Sequence, residues 1–311
     1  MKILVTGGAG FIGSSTVDAL LKEGYDVRAL DNFEPYYSPE QKRKNLENAR
    51  KNKNFELIEG DITNLEIVKK AVSGVDAIIH QAAQAGVRAS VDNPAKTNRI
   101  NIDGTLNVLT CAKDAGIKKI VFASSSSVYG KVKYLPFDEL HPTNPVSPYG
   151  VSKLACEHYC RVFSELYGLE IPMLRYFTVY GPRMRPDLAI NIFMHKMIKN
   201  ESITLFGDGL KSRDFTYIDD VVSATILALE KGKTDTFNVG GGNYCIMNEL
   251  IEKLMQITNS KSKIIKIENA KGDAEHTKAD NKKAKDILGW KPKAKLEEGL
   301  KIYYEWILKN E

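Results

Sequence analysis

The chain has little cysteine. Only Cys111, Cys156, Cys160 and Cys245 occur among 311 residues. Cys156 and Cys160 lie four apart on an expected helix and share its face. That spacing fits no zinc motif, and no second pair of ligands accompanies it, so no metal is expected. Free thiols in a reducing cytoplasm are the expectation. Long apolar runs are also missing: none approaches the ~18 residues that a membrane span requires. The first strand begins at residue 2, which leaves no place for a signal peptide ahead of it. Charge of one sign is barely in excess, with 44 basic against 39 acidic residues and a net +5. There is no basic stripe interleaved with aromatics, so nucleic acid is not an expected partner. Internal repeats and low-complexity tracts are absent.

What is present is ordinary for a globular protein, with 43% hydrophobic and 27% charged residues. At ~150 residues per domain, the length suggests one large domain or two closely joined ones. Short apolar runs bounded by Gly and Asp recur through the first half: KILVTG, DVRALD, FELIEGD, DAIIHQA and KKIVFASS. Such runs suit strands buried on both faces of a parallel sheet. Helical patterns separate them, which indicates βαβ units. The fold class is therefore α/β, a Rossmann-type doubly wound parallel sheet. The segment 33–54 is polar, basic and aromatic, and is expected to form a long loop with a helix beside a nucleotide site.

The rhythm breaks after residue 176. A Pro/Arg-rich loop, YGPRMRPD, follows, and then FTYIDDVVSATILALEKG, a strand or turn leading into a helix. We expect a nucleotide-binding domain over 1–176 with a return segment near 213–240. A smaller α/β domain, interleaved with it, would take 177–311.

Thr6 to Gly13 reads TGGAGFIG. Gly7 or Gly8, with Gly10 and Gly13, permits a tight turn and lets backbone N–H groups approach a pyrophosphate at the start of the following helix. The pattern sits between the first strand and the first helix, the context it requires. Asp31 closes the second strand, where its carboxylate can accept from the adenosine ribose and would repel the extra phosphate of NADP. NAD is the expected cofactor. Asp61, after LIEG, is placed to reach the adenine amino group.

Tyr149 and Lys153 are four apart, just after Pro148, on one face of a helix. A phenol with a reference pKa of ~10 is a poor base at neutral pH. A nearby ammonium lowers that pKa, and the pair becomes a base for an alcohol that is losing a hydride. Upstream stands ASSSSVYG, Ala123 to Gly130, four hydroxyls at the end of an apolar run.

TGGAGFIG, Asp31, SSSSVYG and YGVSK together resemble the extended short-chain dehydrogenase/reductase superfamily, in its sugar-nucleotide epimerase and dehydratase branch. GDGLKSRDFTYIDDVV and FNVGGG carry the likeness through the second half. The resemblance implies an NAD-dependent enzyme with Tyr149, Lys153 and Ser125 as catalytic residues. It implies cofactor contacts from Gly7, Gly10, Phe11, Ile12, Gly13, Asp31, Asn32, Asp61, Ile62, Gln81, Ala82, Ala83 and Asn101, besides Tyr149 and Lys153. Ser124 and Ser126 would line the cofactor and the sugar. Dehydratases of the branch carry Asp-Glu before VYG, and decarboxylases typically a Glu. Here Ser126 and Ser127 stand there, and a serine does no acid–base work near neutral pH.

RYFTVYGPRMRPD, HQAAQAGVRAS and DNFEPYYSPEQKR are similar to the epimerases that act on UDP-glucuronate. The likeness implies a UDP-sugar substrate held by Arg88, Ser125, Ser126, Tyr149, Thr178, Arg185, Arg213 and Asp273. Arg185 would grip the sugar's carboxylate with its planar fork, and Thr178 would add a hydroxyl. Arg213 would clamp the UDP diphosphate. A 4-epimerase for neutral UDP-hexoses, a lyase and a non-enzymatic NAD-binding regulator remain alternatives. The family likeness also implies a homodimer, formed through the helices in NIDGTLNVLTCAKDAG and VSKLACEHYCRVFSELYG.

Overall fold

A computed structural model describes residues 1–268 and 274–310. The strands are β1 (Lys2–Thr6), β2 (Asp26–Asp31), β3 (Phe55–Glu59), β4 (Ala77–His80), β5 (Lys119–Ser125) and β6 (Met173–Tyr176). They continue with β7 (Thr178–Tyr180), β8 (Ile203–Phe206), β9 (Ser212–Tyr217), β10 (Thr236–Val239), β11 (Asn243–Ile246) and β12 (Ile264–Ile267). The helices are α1 (Phe11–Lys22), α2 (Pro39–Asn45), α3 (Leu65–Val72), α4 (Val87–Asp92), α5 (Pro94–Asn98) and α6 (Gly104–Asp114). After them come α7 (Pro148–Tyr167), α8 (Ala189–Ile198), α9 (Ile218–Lys231), α10 (Met247–Thr258) and α11 (Leu296–Asn310).

Seven strands form the main sheet, in the order β10-β6-β5-β4-β1-β2-β3, and every neighbouring pair is parallel. Ile3, Leu4 and Val5 of β1 are wholly buried, as a central strand covered on both faces requires. The order reverses between β1 and β4, and a crevice opens there beyond the carboxyl ends of the strands. The expected doubly wound Rossmann-type sheet is thus the observed one. The 33–54 segment holds α2 and a short 3-10 turn, Ala49–Lys51, as its composition suggested.

After β6 the chain leaves the sheet. β7, β9 and β11 make a three-stranded sheet, with β9 parallel to β7 and antiparallel to β11, and β8 pairs with β12. α9 then leads back, and β10 joins the edge of the main sheet beside β6. Asp220, at the start of α9, accepts from Lys293 N (2.9 Å) and Ala294 N (3.0 Å) and so ties down the segment before α11. Among the described residues, no helix is long and apolar enough to cross a membrane.

One buried carboxyl in this second part titrates near neutrality. Burial pushes the pKa of Asp214 on β9 up to about 6, although backbone N–H donors, Ala279 N at 3.0 Å among them, pull the other way. Its Oδ1 makes no hydrogen bond among the described residues. A raised folded-state pKa means stability that is present below the ordinary Asp value near 4 and lost as pH rises through about 6. The Tm of the native chain minus that of Asp214→Asn should therefore be larger at pH 4.5 than at pH 7.5. A difference that does not change with pH would show that Asp214 ionises normally in the fold.

Candidate active site

The crevice at the switch point is one continuous cleft. Its floor is the glycine turn. Gly7 has φ +68°, and a side chain there would strike the backbone of Ala82. A methyl on Gly13 would run into the Gly7 carbonyl oxygen. Gly10 N donates back to Gly7 O (3.1 Å), which closes the turn and points the first free N–H groups of α1 into the cleft. No larger residue fits at Gly7 or Gly13, and the opening suits a pyrophosphate.

At one end, Asp31 accepts from Ala9 N (3.0 Å) and Phe33 N (2.8 Å), which fix its carboxyl at the cleft edge. Burial pushes its pKa up, against those two donors and Lys42. Asp61 is pushed up by burial as well. Three donors outweigh that and leave its pKa low: Thr63 N, Thr63 Oγ1 and Asn32 Nδ2, each at 2.7 Å. Asn32, Ile62, Gln81, Ala82 and Ala83 line the wall with Phe11 and Ile12. Asn101 stands behind that wall. Its amide accepts from Gln84 N (2.7 Å) and donates to Ser152 Oγ (2.8 Å), fastening the loop after β4 to α7.

At the other end stand Tyr149 and Lys153. Ser147 caps α7 by accepting from Gly150 N (3.2 Å), and Pro148 supplies the first turn without an N–H to waste. One turn on, Lys153 is buried and donates to Ala123 O at 2.7 Å. Its ammonium lies 6.0 Å from the centre of the Tyr149 ring. Both side chains line the cleft.

The four serines divide the work. Ser124 lines the cleft, and its hydroxyl donates to Glu157 Oε1 (2.6 Å). Ser125 caps the 3-10 turn Ser126–Val128, accepting from Ser127 N at 3.1 Å, and its Oγ lies 3.1 Å from Ser127 Oγ. Ser126 opens that turn, half-buried.

Arg185 lines the same cleft as Tyr149. Its fork, however, already holds a carboxylate: Nε and Nη2 each reach Asp187 at 2.9 Å. Only Nη1 is left without a partner among the described residues. Thr178 opens β7 opposite Phe215, and Arg213 sits two residues earlier on β9, where Nη1 donates to Ser212 O (2.8 Å). Arg88 is exposed on α4 and stacks on Phe206, 4.1 Å from its ring centre. Ser125, Ser126, Thr178, Arg213 and Arg88 lie outside the cleft lining. Asp273 lies outside the described residues.

Several lining residues fall within RYFTVYGPRMRPD, HQAAQAGVRAS or DNFEPYYSPEQKR but are not among the expected site residues. Tyr176 ends β6 opposite Ser125, and its hydroxyl accepts from Gln81 Nε2 (2.9 Å). Gln84 turns an unpartnered Oε1 inward. Tyr36, Tyr37 and Lys42 come from the aromatic and basic segment, whose composition is the available signal.

Comparison with known proteins agrees with this geometry. The family model described as the NAD dependent epimerase/dehydratase family matches residues 3–240. A UDP-glucuronate 4-epimerase of Thermodesulfobacterium geofontis is 42% identical over 310 residues, covering 99% of this chain and 96% of the relative. The crystal structure of a UDP-glucuronic acid 4-epimerase from Bacillus cereus, in complex with UDP-glucuronic acid and NAD, superposes with a TM-score of 0.95 at 37% identity. That of a UDP-glucose 4-epimerase from Thermotoga maritima, with UDP-glucose, gives 0.93 at 40%. Each pair is covered over 99% of both chains. A glycine cradle shaped for a pyrophosphate, an acid at each of two strand ends and a Tyr/Lys pair at the far end suit one dinucleotide, and the chain belongs to the NAD-dependent epimerase/dehydratase family.

Proposed function

We propose that this chain is the 4-epimerase of UDP-glucuronate, converting it to UDP-galacturonate. The enzyme class, an NAD-dependent isomerase of UDP-sugars, is the firm part; the glucuronate is our reading. The observation that carries it is Arg185, a guanidinium lining the cleft that holds Tyr149.

NAD, held by the glycine turn and Asp31, would supply the hydride acceptor and donor for C4 of the sugar. The chain's own residues do the rest. Lys153, pinned to Ala123 O, places its ammonium 6.0 Å from the centre of the Tyr149 ring. Tyr149 takes the proton of the C4 hydroxyl, and Ser125 bridges the two. The sugar turns about its link to the diphosphate, which Arg213 anchors. Tyr149 then returns the proton to the C4 oxygen once the sugar presents its other face. Ser126 and Ser127 supply no acid or base, so elimination has no catalyst here.

A 4-keto glucuronate is a β-keto acid. It loses CO2 when its C5–C6 bond aligns with the carbonyl π system. Nη1 of Arg185, with Thr178, holds the carboxylate away from that alignment. Arg185→Ala should lose at least about tenfold in turnover of UDP-glucuronate, or release UDP-pentose, as expected from one charge-assisted contact. Product analysis by NMR reads both outcomes. Normal epimerisation without leakage would remove Arg185 from the role.

A second reading, a UDP-glucose 4-epimerase, is favoured by the Arg185–Asp187 pair, because a guanidinium already neutralised suits an uncharged sugar. Incubation with UDP-glucuronate and UDP-glucose separately, followed by NMR of the sugars, decides between them. A homodimer is also part of the proposal. Val151, Tyr159, Val162 and Leu166 form an exposed apolar stripe along α7, suited to a second copy.

A further inference from the structure

The guanidinium that lines the cleft with Tyr149 is met by a carboxylate of its own chain. Arg185 and Asp187 lie in the turn between β7 and α8, where Leu188 N donates to Arg185 O (3.3 Å). Nε donates to one oxygen of Asp187 and Nη2 to the other, each at 2.9 Å. This two-point geometry is the firmest hold that a planar fork has on a carboxylate. The turn is fastened from two sides. Arg183 Nη2 donates to Asp18 Oδ2 on α1 (2.6 Å). Tyr36 Oη donates to Asp187 Oδ2 (3.0 Å), the oxygen that Nη2 already uses. Burial, and then the charge of Asp187, push the Tyr36 phenol up to about 12, so it is a neutral donor. Burial pushes the Asp187 carboxyl up as well, but Arg185 and Tyr36 outweigh it and hold it below the ordinary carboxylate range. Asp187 is therefore an anion at neutral pH.

The ligand assigned to Arg185 is a carboxylate too, so two anions need one guanidinium. With Asp187 in place, the sugar is left Nη1 alone and approaches a pair whose charges cancel. To reach the fork formed by Nε and Nη2 it must displace Asp187. On either route the negative charge of Asp187 works against an acidic sugar, because like charges sharing a site disfavour each other. A neutral hydroxyl at the same place meets no such repulsion.

We propose that Asp187 is a specificity-determining residue, an internal carboxylate that competes with the sugar's own for Arg185, an assignment that rests on the glucuronate reading. It sets how strongly the cleft prefers an acidic UDP-sugar to a neutral one. The reaction supplies a reason for the competition. The 4-keto sugar must leave its first position to present its other face, and a carboxylate gripped by the whole fork would hold it there. Asp187 keeps that grip weak enough to release. It acts through Arg185, so it is a positioning residue rather than a catalytic one.

Asp187→Asn tests it, since it removes the charge and keeps an acceptor for one guanidinium N–H. Binding is measured by calorimetry on the NAD-loaded protein in a Tyr149→Phe background, where the sugars are not turned over. Affinity for UDP-glucuronate relative to UDP-glucose should rise at least about tenfold, the gain of one hydrogen bond between charged groups. In the chain that keeps Tyr149, KM and kcat for UDP-glucuronate should fall together, as a tighter hold on the resting sugar requires. Asp187→Glu, which restores the charge, should bring most of the native preference back. An unchanged preference in Asp187→Asn, or a loss of affinity shared equally by both sugars, would make the pair a brace for the turn and overturn the proposal. Equal shifts in the Asn and Glu variants, or an Asp187→Asn chain that does not fold, would overturn it as well. Failure of the glucuronate reading looks different. The native chain would then epimerise UDP-glucose and leave UDP-glucuronate untouched, while the binding ratio still decides the role of Asp187.

Discussion

Tyr149→Phe is expected to lower kcat about a thousandfold, the middle of the range for removing a positioned general base, while NAD remains bound. The reasoning is local. Tyr149 stands in the first turn of α7, where Ser147 and Pro148 fix the helix start. Its hydroxyl has no hydrogen-bond partner among the described residues, so removing it leaves no buried group stranded. Nothing else in the cleft replaces it. Lys153 is held at Ala123 O, and a serine hydroxyl such as that of Ser125 does no acid–base work near neutral pH. Steady-state assay with each UDP-sugar, beside measurement of bound NAD after gel filtration, separates chemistry from cofactor loss. A variant that keeps a tenth or more of native turnover would show that another group takes the proton.

Glu157→Ala carries the largest expected effect on stability, a loss of about 3–5 kcal/mol, typical of breaking a buried ion pair from one side. Glu157 is fully buried on α7, and Arg175 of β6, 2% exposed, reaches both of its oxygens, Nε at 2.9 Å and Nη2 at 2.8 Å. Ser124 adds a third bond (2.6 Å). Arg175 Nη1 is already buried without a partner, and the ring of Tyr129 lies 4.8 Å from the guanidinium. Removing the carboxylate would leave that guanidinium buried with no counter-charge. Denaturant unfolding with NAD at saturation measures the loss. The network also joins α7, which carries Tyr149, to β5, which carries Ser125. A partial rescue by Glu157→Gln, which keeps an acceptor for Ser124, is expected to be small, because the charge is what Arg175 lacks. Full recovery in that variant would show that shape, not charge, holds the junction.

Much of the site was legible because its chemistry is encoded in short runs. TGGAGFIG reads as a cradle since only glycine tolerates the approach of Gly13 to the Gly7 carbonyl. Tyr149 and Lys153 share a helix face by spacing alone. The doubly wound sheet followed from apolar runs too continuous for any half-exposed sheet. What stayed hidden depends on contacts between distant segments. Asp187 is two residues from Arg185, yet nothing in PRMRPD says that the fork folds back on its neighbour. Ser124 and Ser125 look alike in sequence. Only the arrival of α7 behind β5 sends one hydroxyl to Glu157 and leaves the other at the turn. Tyr37 and Lys42 stand in the quoted run DNFEPYYSPEQKR, yet their place in the cleft depends on where α2 docks.

The late return of the chain to its main sheet has a practical consequence. β10 covers the outer edge of β6, so a fragment ending at residue 176 would present Met173–Tyr176 as a bare strand. Open strands of that kind recruit other copies and precipitate. The dinucleotide half cannot be cut out for separate use by stopping at the apparent boundary. Any excised version must keep the chain through Val239, and with it β7, β8 and β9, which lie between.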